Sequence, residues 1–239
     1  MNPSDARLLA ALDLTSLGED DTPAAIRALC AKAAASVVRP AAVCVFPEHI
    51  VTARAALAET GATGVAVATV VNFPDGANNP GRALSETRRA LAAGADEIDL
   101  VFSWRAYVAG DRESGPIIVR RCKEACGSRL LKTIIETGEL GDPLLIREIS
   151  LAAVDAGADF VKTSTGRSRV GATPEAAKAI LECLRERGRG GFKASGGIRT
   201  LAQGRVYLEL AELICGPGWA TPAKFRIGSS SMLGQEPGQ

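Results

Sequence analysis

An α/β chain folded as a single (β/α)8 TIM barrel with a short N-terminal helix is the fold that this sequence predicts. Apolar runs rich in β-branched residues recur at intervals of about thirty residues, the size of a βα unit. Eight such runs can be counted, and Ala/Leu/Arg/Glu-rich stretches with helical spacing separate them. Strands alternating with helices call for a parallel sheet. Eight units within 239 residues, with no composition break or Ser/Pro linker, favour a closed barrel over an open doubly wound sheet.

The first run, residues 9–14, is the least distinctive, because 8–12 suits a short N-terminal helix equally well. A helix over 22–35 opens with Asp21-Thr-Pro, which puts Pro23 where a helix has no use for the missing N–H. Strands follow at 41–46 and 65–73. The helix over 85–93 and the later one over 142–156 each run into an Ala-Gly-Ala-Asp, where glycine ends the helix before the next strand. Those strands are 97–102 and 160–165, with another at 130–135 between them. Thr173-Pro-Glu supplies a cap and a first-turn proline for the helix that precedes the strand at 191–195. The eighth strand is 225–228. One domain is expected over 1–233, and 234–239 read as a disordered tail.

Bulk properties exclude several classes of function. Formal net charge is +1 with both signs interspersed, unlike the basic footprint of a nucleic-acid binder. No apolar stretch is long enough to span a bilayer, so no membrane partner is expected. The first residues lack the basic-then-apolar plan of a secretion signal. Six cysteines without a Cys-x-x-Cys pair suggest free thiols in a reducing cytoplasm, and no metal site is expected. His49, the only histidine, reads as a surface or capping residue, which leaves no Ser-His-Asp or Cys-His machinery. Glycine patterns for dinucleotides or nucleoside triphosphates are absent.

Strand alternation then singles out what points inward. With Ile98 and Leu100 toward the helices, Glu97, Asp99 and Val101 face the interior. With Leu131, Thr133 and Ile135 outward, Lys132 faces in; the same test turns Lys162, Ser164, Lys193 and Ser195 inward. Asp13 and Cys44 are inward candidates on the first two strands. Barrel interiors are normally filled by Val, Ile and Leu. An internal ion-pair network kept for architecture explains any one of these residues, but buried ion pairs are poor stabilisers. Asp13, Asp99, Lys132, Lys162 and Lys193 converging on one cavity point to a site. Lys162 and Lys193 on adjacent strands repel, and one is relieved by losing its proton, giving a neutral amine able to attack a carbonyl.

The segments after the last three strands are rich in glycine and hydroxyls: Thr165-Gly166-Arg167, Ser195-Gly196-Gly197-Ile198-Arg199 and Gly228-Ser229-Ser230-Ser231. Each is an ordinary turn by itself, but barrels bind phosphate with the loops after their last strands. Arg167 or Arg199 would add charge.

The motifs Gly157-Ala-Asp-Phe-Val-Lys-Thr-Ser-Thr-Gly166 and Gly191-Phe-Lys-Ala-Ser-Gly-Gly-Ile-Arg-Thr200 carry a family resemblance. So do Leu12-Asp-Leu-Thr15, Ala42-Val-Cys-Val45 and Gly94-Ala-Asp-Glu-Ile-Asp99, and the likeness covers nearly the whole chain. The sequence resembles the 2-deoxy-D-ribose-5-phosphate aldolases, Schiff-base lyases on a (β/α)8 barrel that need no cofactor. The resemblance implies that Lys162 forms the Schiff base, that Lys193 depresses its pKa, and that Asp99, with Lys132 behind it, moves protons through a water. It implies phosphate contacts from Gly166, Gly196, Gly197 and Ser229 or Ser230. Asp13, Thr15, Cys44, Thr165, Arg167, Arg199 and Gly228 complete the expected substrate-binding set. Sugar phosphates and aldehydes are the expected partners, with a homodimer as the assembly. Two departures stand out. Arg167 replaces a lysine of some relatives, and no tyrosine tail precedes Gln239, so its proton-transfer role would be unfilled or fall to water. The lysines alone do not separate this reading from another Schiff-base sugar-phosphate aldolase, a transaldolase-like barrel or a non-catalytic sugar-phosphate binder.

Overall fold

The computed structural model describes residues 1–233, and the tail expected at 234–239 lies outside them. Eight parallel strands close in sequence order, the last pairing with the first. They are β1 (Leu12–Thr15), β2 (Ala42–Val45), β3 (Ala66–Val71), β4 (Glu97–Val101), β5 (Leu130–Ile134), β6 (Phe160–Lys162), β7 (Gly191–Ser195) and β8 (Phe225–Ser229). Around them lie α1 (Pro3–Ala10), α2 (Pro23–Ala35), α3 (Ile50–Glu59), α4 (Pro80–Ala92) and α5 (Trp104–Val108). The ring continues with α6 (Ser114–Cys126), α7 (Thr137–Leu140), α8 (Pro143–Asp155), α9 (Pro174–Arg187) and α10 (Leu201–Cys215). The predicted (β/α)8 barrel with its N-terminal helix is therefore the fold observed.

Helix starts follow local chemistry. Asn2, Thr22, Asn79, Asp142 and Thr173 each place a side-chain oxygen on a first-turn N–H and are followed by proline. Residues 8–10 belong to α1, so the first strand is shorter than the apolar run that suggested it. The sixth is shorter still. It ends at Lys162, and from Thr163 onward the chain is a loop tied to β7 by the Thr163 hydroxyl, which donates to the Ser195 carbonyl at 3.0 Å.

Alternation along the strands divides the apolar residues into two sets. Leu12, Leu14, Val43, Val45, Ile98, Leu100, Leu131, Val161, Phe192, Ala194, Phe225 and Ile227 face the helices and join the main core. Ala42, Cys44, Ala68 and Val70 form a small cluster of their own inside the barrel, roofed by Leu17, Phe46 and Phe73. The interior is thus wholly apolar along β2 and β3, whereas on β4, β5 and β6 the inward Val101, Ile134 and Phe160 alternate with charged residues. His49 is buried rather than at the surface, ending the short 3-10 turn that leads into α3. Among the described residues no helix is long and apolar enough to cross a membrane.

Candidate active site

Register sets the inward side chains in a layer two rows deep, Lys132 level with Phe160 and Lys162 level with Ile134. Lys162 lies beside Lys193, Lys193 beside Arg226, and Asp99 beside Lys132. Three neighbouring strands therefore aim three cations at the same space. Gly228 keeps that space open, since a Cβ there would stand 3.0 Å from Ser195 Cβ and 3.3 Å from Lys193 Cε.

Three carboxylates answer four bases. Asp99 Oδ2 accepts from Lys162 Nζ at 2.7 Å and Lys193 Nζ at 2.8 Å, and its Oδ1 accepts from Lys132 Nζ at 2.9 Å. The two amines that share one oxygen are no farther apart than those two bonds laid end to end. Asp13 Oδ2 takes Lys193 Nζ at 2.5 Å and lies 3.3 Å from Lys132 Nζ, while its Oδ1 takes the Arg226 guanidinium at 2.6 Å. Glu97 holds Lys132 at 2.5 Å and Arg226 at 2.8 Å.

Lys162 is the poorest in partners. Lys132, Lys193 and Arg226 each contact at least two carboxylates, whereas Lys162 has Asp99 alone. Burial pushes the Lys162 amine down, Asp99 pushes it back up, and Lys193 pushes it down again; the balance lies below the ordinary lysine value. Burial acts on Lys193 in the same sense but is outweighed by Asp13 and Asp99, so its pKa is raised. Lys132 stands well above the usual value because Asp13, Asp99 and Glu97 surround it. Desolvation alone would raise the Asp13 and Asp99 carboxyls, but Lys132 and the other neighbouring cations hold both well below their normal range. The two lysines are thus shifted in opposite directions, Lys162 down and Lys193 up. Desolvation contributes more to the lowering of Lys162 than the lysine–lysine repulsion does.

Above this layer opens a cavity of about 420 Å³, in the size range of small-molecule sites. Lys162 is the one member of the charged cluster in its lining. Thr15, Thr165, Gly166, Arg167, Gly196, Gly197, Arg199, Gly228, Ser229 and Ser230 line it as well, drawn from the ends of β1 and β8 and from the loops after β6, β7 and β8. Asp13, Asp99, Lys132 and Lys193 lie beneath the cavity, and Cys44 sits in the apolar half of the interior. Burial, with Asp99 adding to it, raises the Cys44 thiol, which favours its neutral form.

Sequence reasoning left several functional side chains out. Arg226 was legible: with Phe225 and Ile227 outward, alternation turns it inward. Glu97 had been placed inward without a partner. Glu136 carried no signal of this kind. It adopts a left-handed backbone at φ 58°, uncommon for a side chain of its type, and its buried carboxylate accepts from the Thr165 hydroxyl at 2.6 Å and from the Thr165 N–H at 3.2 Å. The Thr165 oxygen in turn accepts the Arg167 N–H at 3.0 Å. Thr165 therefore shapes the loop and has no hydrogen left to donate into the cavity. The Arg167 guanidinium crosses to the β1 loop, donating to the Leu17 carbonyl at 2.6 Å. Arg199 has an exposed side chain with no acceptor among the described residues, although its backbone N–H, with that of Thr200, is taken by Gln203.

Fold and cavity together define a barrel enzyme built around a buried amine below a small polar pocket. A family model described as DeoC/LacD family aldolase matches residues 7–206. The chain belongs to that family and is an aldolase, a carbon–carbon lyase. Among solved structures, a candidate deoxyribose-phosphate aldolase from Toxoplasma gondii ME49 is 28% identical with a TM-score of 0.88, over 95% of this chain and 89% of that one. One from Coccidioides immitis is 30% identical with a TM-score of 0.83, over 95% and 83%. The deoxyribose phosphate aldolase of Aeropyrum pernix, described as a unique tetramer, is 26% identical with a TM-score of 0.76, over 95% and 88%.

A surplus base held in the interior is a burden on stability. Lys162→Met should raise the thermal midpoint, by roughly 1 to 4 kcal/mol in stability, since Asp99 keeps Lys132 and Lys193. Calorimetry giving a lowered midpoint would mean that Lys162 stabilises the fold as an ion-pair partner.

Proposed function

We propose that the chain cleaves 2-deoxy-D-ribose 5-phosphate reversibly to D-glyceraldehyde 3-phosphate and acetaldehyde, with Lys162 as the Schiff-base amine. The observation that carries this reading is that Lys162 alone, among the interior lysines, both lines the cavity and has a depressed pKa. The family supports carbon–carbon lyase chemistry, and relatives carrying the deoxyribose-phosphate name support the substrate.

In the cleavage direction the neutral Lys162 amine adds to the aldehyde carbon of the open-chain sugar, and loss of water gives a protonated imine. That cation is the electron sink, so the step requires no metal. Removal of the C3 hydroxyl proton breaks the C2–C3 bond, releases glyceraldehyde 3-phosphate and leaves an enamine. Protonation at C2 and hydrolysis release acetaldehyde and restore the amine. Asp99 stays ionised because the Lys132 and Lys193 ammonium groups outweigh the effect of its burial. It is therefore a weak base by itself, and its part in this reading is to orient the nitrogen and a proton-carrying water.

The phosphate would sit among the loops after β6, β7 and β8. Gly166, Gly196 and Gly197 have φ values of 82°, 88° and 82°, a conformation that favours glycine and brings backbone N–H groups close to an anion. Arg199 supplies the free cation, whereas Arg167 is committed to Leu17. Gly171 fixes the spacing of two of these loops, because a Cβ there would come within 2.2 Å of the Gly196 carbonyl oxygen. Six unpaired thiols support a reducing compartment.

Borohydride reduction in the presence of acetaldehyde should leave an ethyl group on Lys162, found by peptide mass spectrometry, with trapping extending to lower pH than an ordinary lysine permits. No adduct, or one only at other lysines, would overturn the mechanism. Arg199→Met should raise KM for the phosphorylated sugar by about tenfold or more, the weight of a charge-assisted contact, with little change in kcat. Arg167→Met should change it less. The reverse order would assign the phosphate to Arg167.

A further inference from the structure

Asp21, Arg167 and Arg199 line the cavity over Lys162, and the titratable groups that surround this lysine within the barrel form one set. From β4 come Asp99 and Glu97, from β5 Lys132, from β7 Lys193, from β8 Arg226, from β1 Asp13 and from β2 the Cys44 thiol; β3 supplies none. Arg226 and Glu97 are buried and do not line the cavity. Arg226 donates from Nε to the Pro222 carbonyl at 2.7 Å, and its guanidinium carbon lies 5.8 Å from the centre of the Phe160 ring. It has no access to substrate.

We propose that the Arg226–Glu97 pair sets the protonation state of Lys162 from beneath, with Arg226 as a positioning residue that occupies carboxylate capacity so that one lysine is left short. A guanidinium does not give up its proton inside a protein. Arg226 takes Asp13 Oδ1 at 2.6 Å and both Glu97 oxygens, Oε1 at 2.8 Å and Oε2 at 3.1 Å, so Lys132 has only a shared hold on Glu97, and Asp13 Oδ2 and Asp99 are what remains wholly for the three lysines. Lys132 and Lys193 each reach more than one of those carboxylates, so the shortfall falls on Lys162. Without Arg226, three lysines face three carboxylates and nothing requires Lys162 to be neutral. Without the Glu97 charge, four bases face two carboxylates and the pressure on Lys162 grows. Removing both charges restores a surplus of one.

This inference rests on the reading of Lys162 as the Schiff-base amine. Its test compares the wild-type enzyme, Arg226→Met, Glu97→Gln and the double variant by the pH dependence of Lys162 ethylation with acetaldehyde and cyanoborohydride. The midpoint should rise by about one pH unit or more in Arg226→Met, fall in Glu97→Gln and return to the wild-type position in the double variant. A purely structural role would lower trapping at every pH without opposed shifts. Midpoints that stay fixed, or that move the same way in both single variants, would overturn the proposal. If Arg226→Met does not fold, the fall in Glu97→Gln and its reversal in the double variant decide the matter. Absence of the Lys162 adduct in the wild-type enzyme would instead sink the functional reading.

Discussion

A closed barrel cannot dilute the charges it encloses. Four bases and three carboxylates share the interior, and its walls exclude the water that would otherwise screen them. Two unit charges about 4 Å apart interact by roughly 4 kcal/mol at an effective protein dielectric of about 20, so one unanswered base is a large imbalance. The least costly relief is for the base with the fewest carboxylate partners to give up its proton. That base is Lys162, which is also the one that meets the cavity. In the proposed mechanism, reactivity follows from this mismatch of charges in a confined space.

The rest of the site preserves this arrangement and brings a substrate to it. Register aligns Lys162, Lys193 and Arg226, and Gly228 leaves room for the long side chains. Glu136 holds the Thr165 hydroxyl, and Arg167 ties the β6 loop to the β1 loop, so the cavity wall is braced from two sides. The opposite side of the interior, along β2 and β3, is apolar and closed over by Leu17, Phe46 and Phe73. A polar pocket therefore adjoins an apolar partition, a division that fits the proposed substrate with its charged end and small carbonyl end.

Much of this was legible in the sequence, for a definite reason. Strand alternation has a period of two, so Ile98 and Leu100 outward oblige Glu97 and Asp99 to face in, and the same rule delivers Lys132, Lys162 and Lys193. Applied to Phe225 and Ile227 it also delivers Arg226. Roles that depend on loop geometry did not follow from pattern. Arg167 and Arg199 look equivalent in sequence, and only their placement separates a brace from a free cation. Thr165 looked like a phosphate contact until its single hydroxyl hydrogen was found on Glu136. The order of forces was also hidden. Two adjacent strand lysines suggest repulsion first, whereas full burial of Lys162 is the larger cause of its lowered pKa.

The proposed mechanism requires Lys162, and neither Lys132 nor Lys193, to be the interior lysine that gives up its proton. Nitrogen-15 NMR of lysine-labelled protein, with each signal assigned through single substitutions, reads that state directly. As pH is raised, Lys162 should lose its proton first, below the ordinary lysine range, while Lys132 and Lys193 are still ammonium. Lys162 remaining ammonium throughout, or Lys193 losing its proton first, would contradict the account.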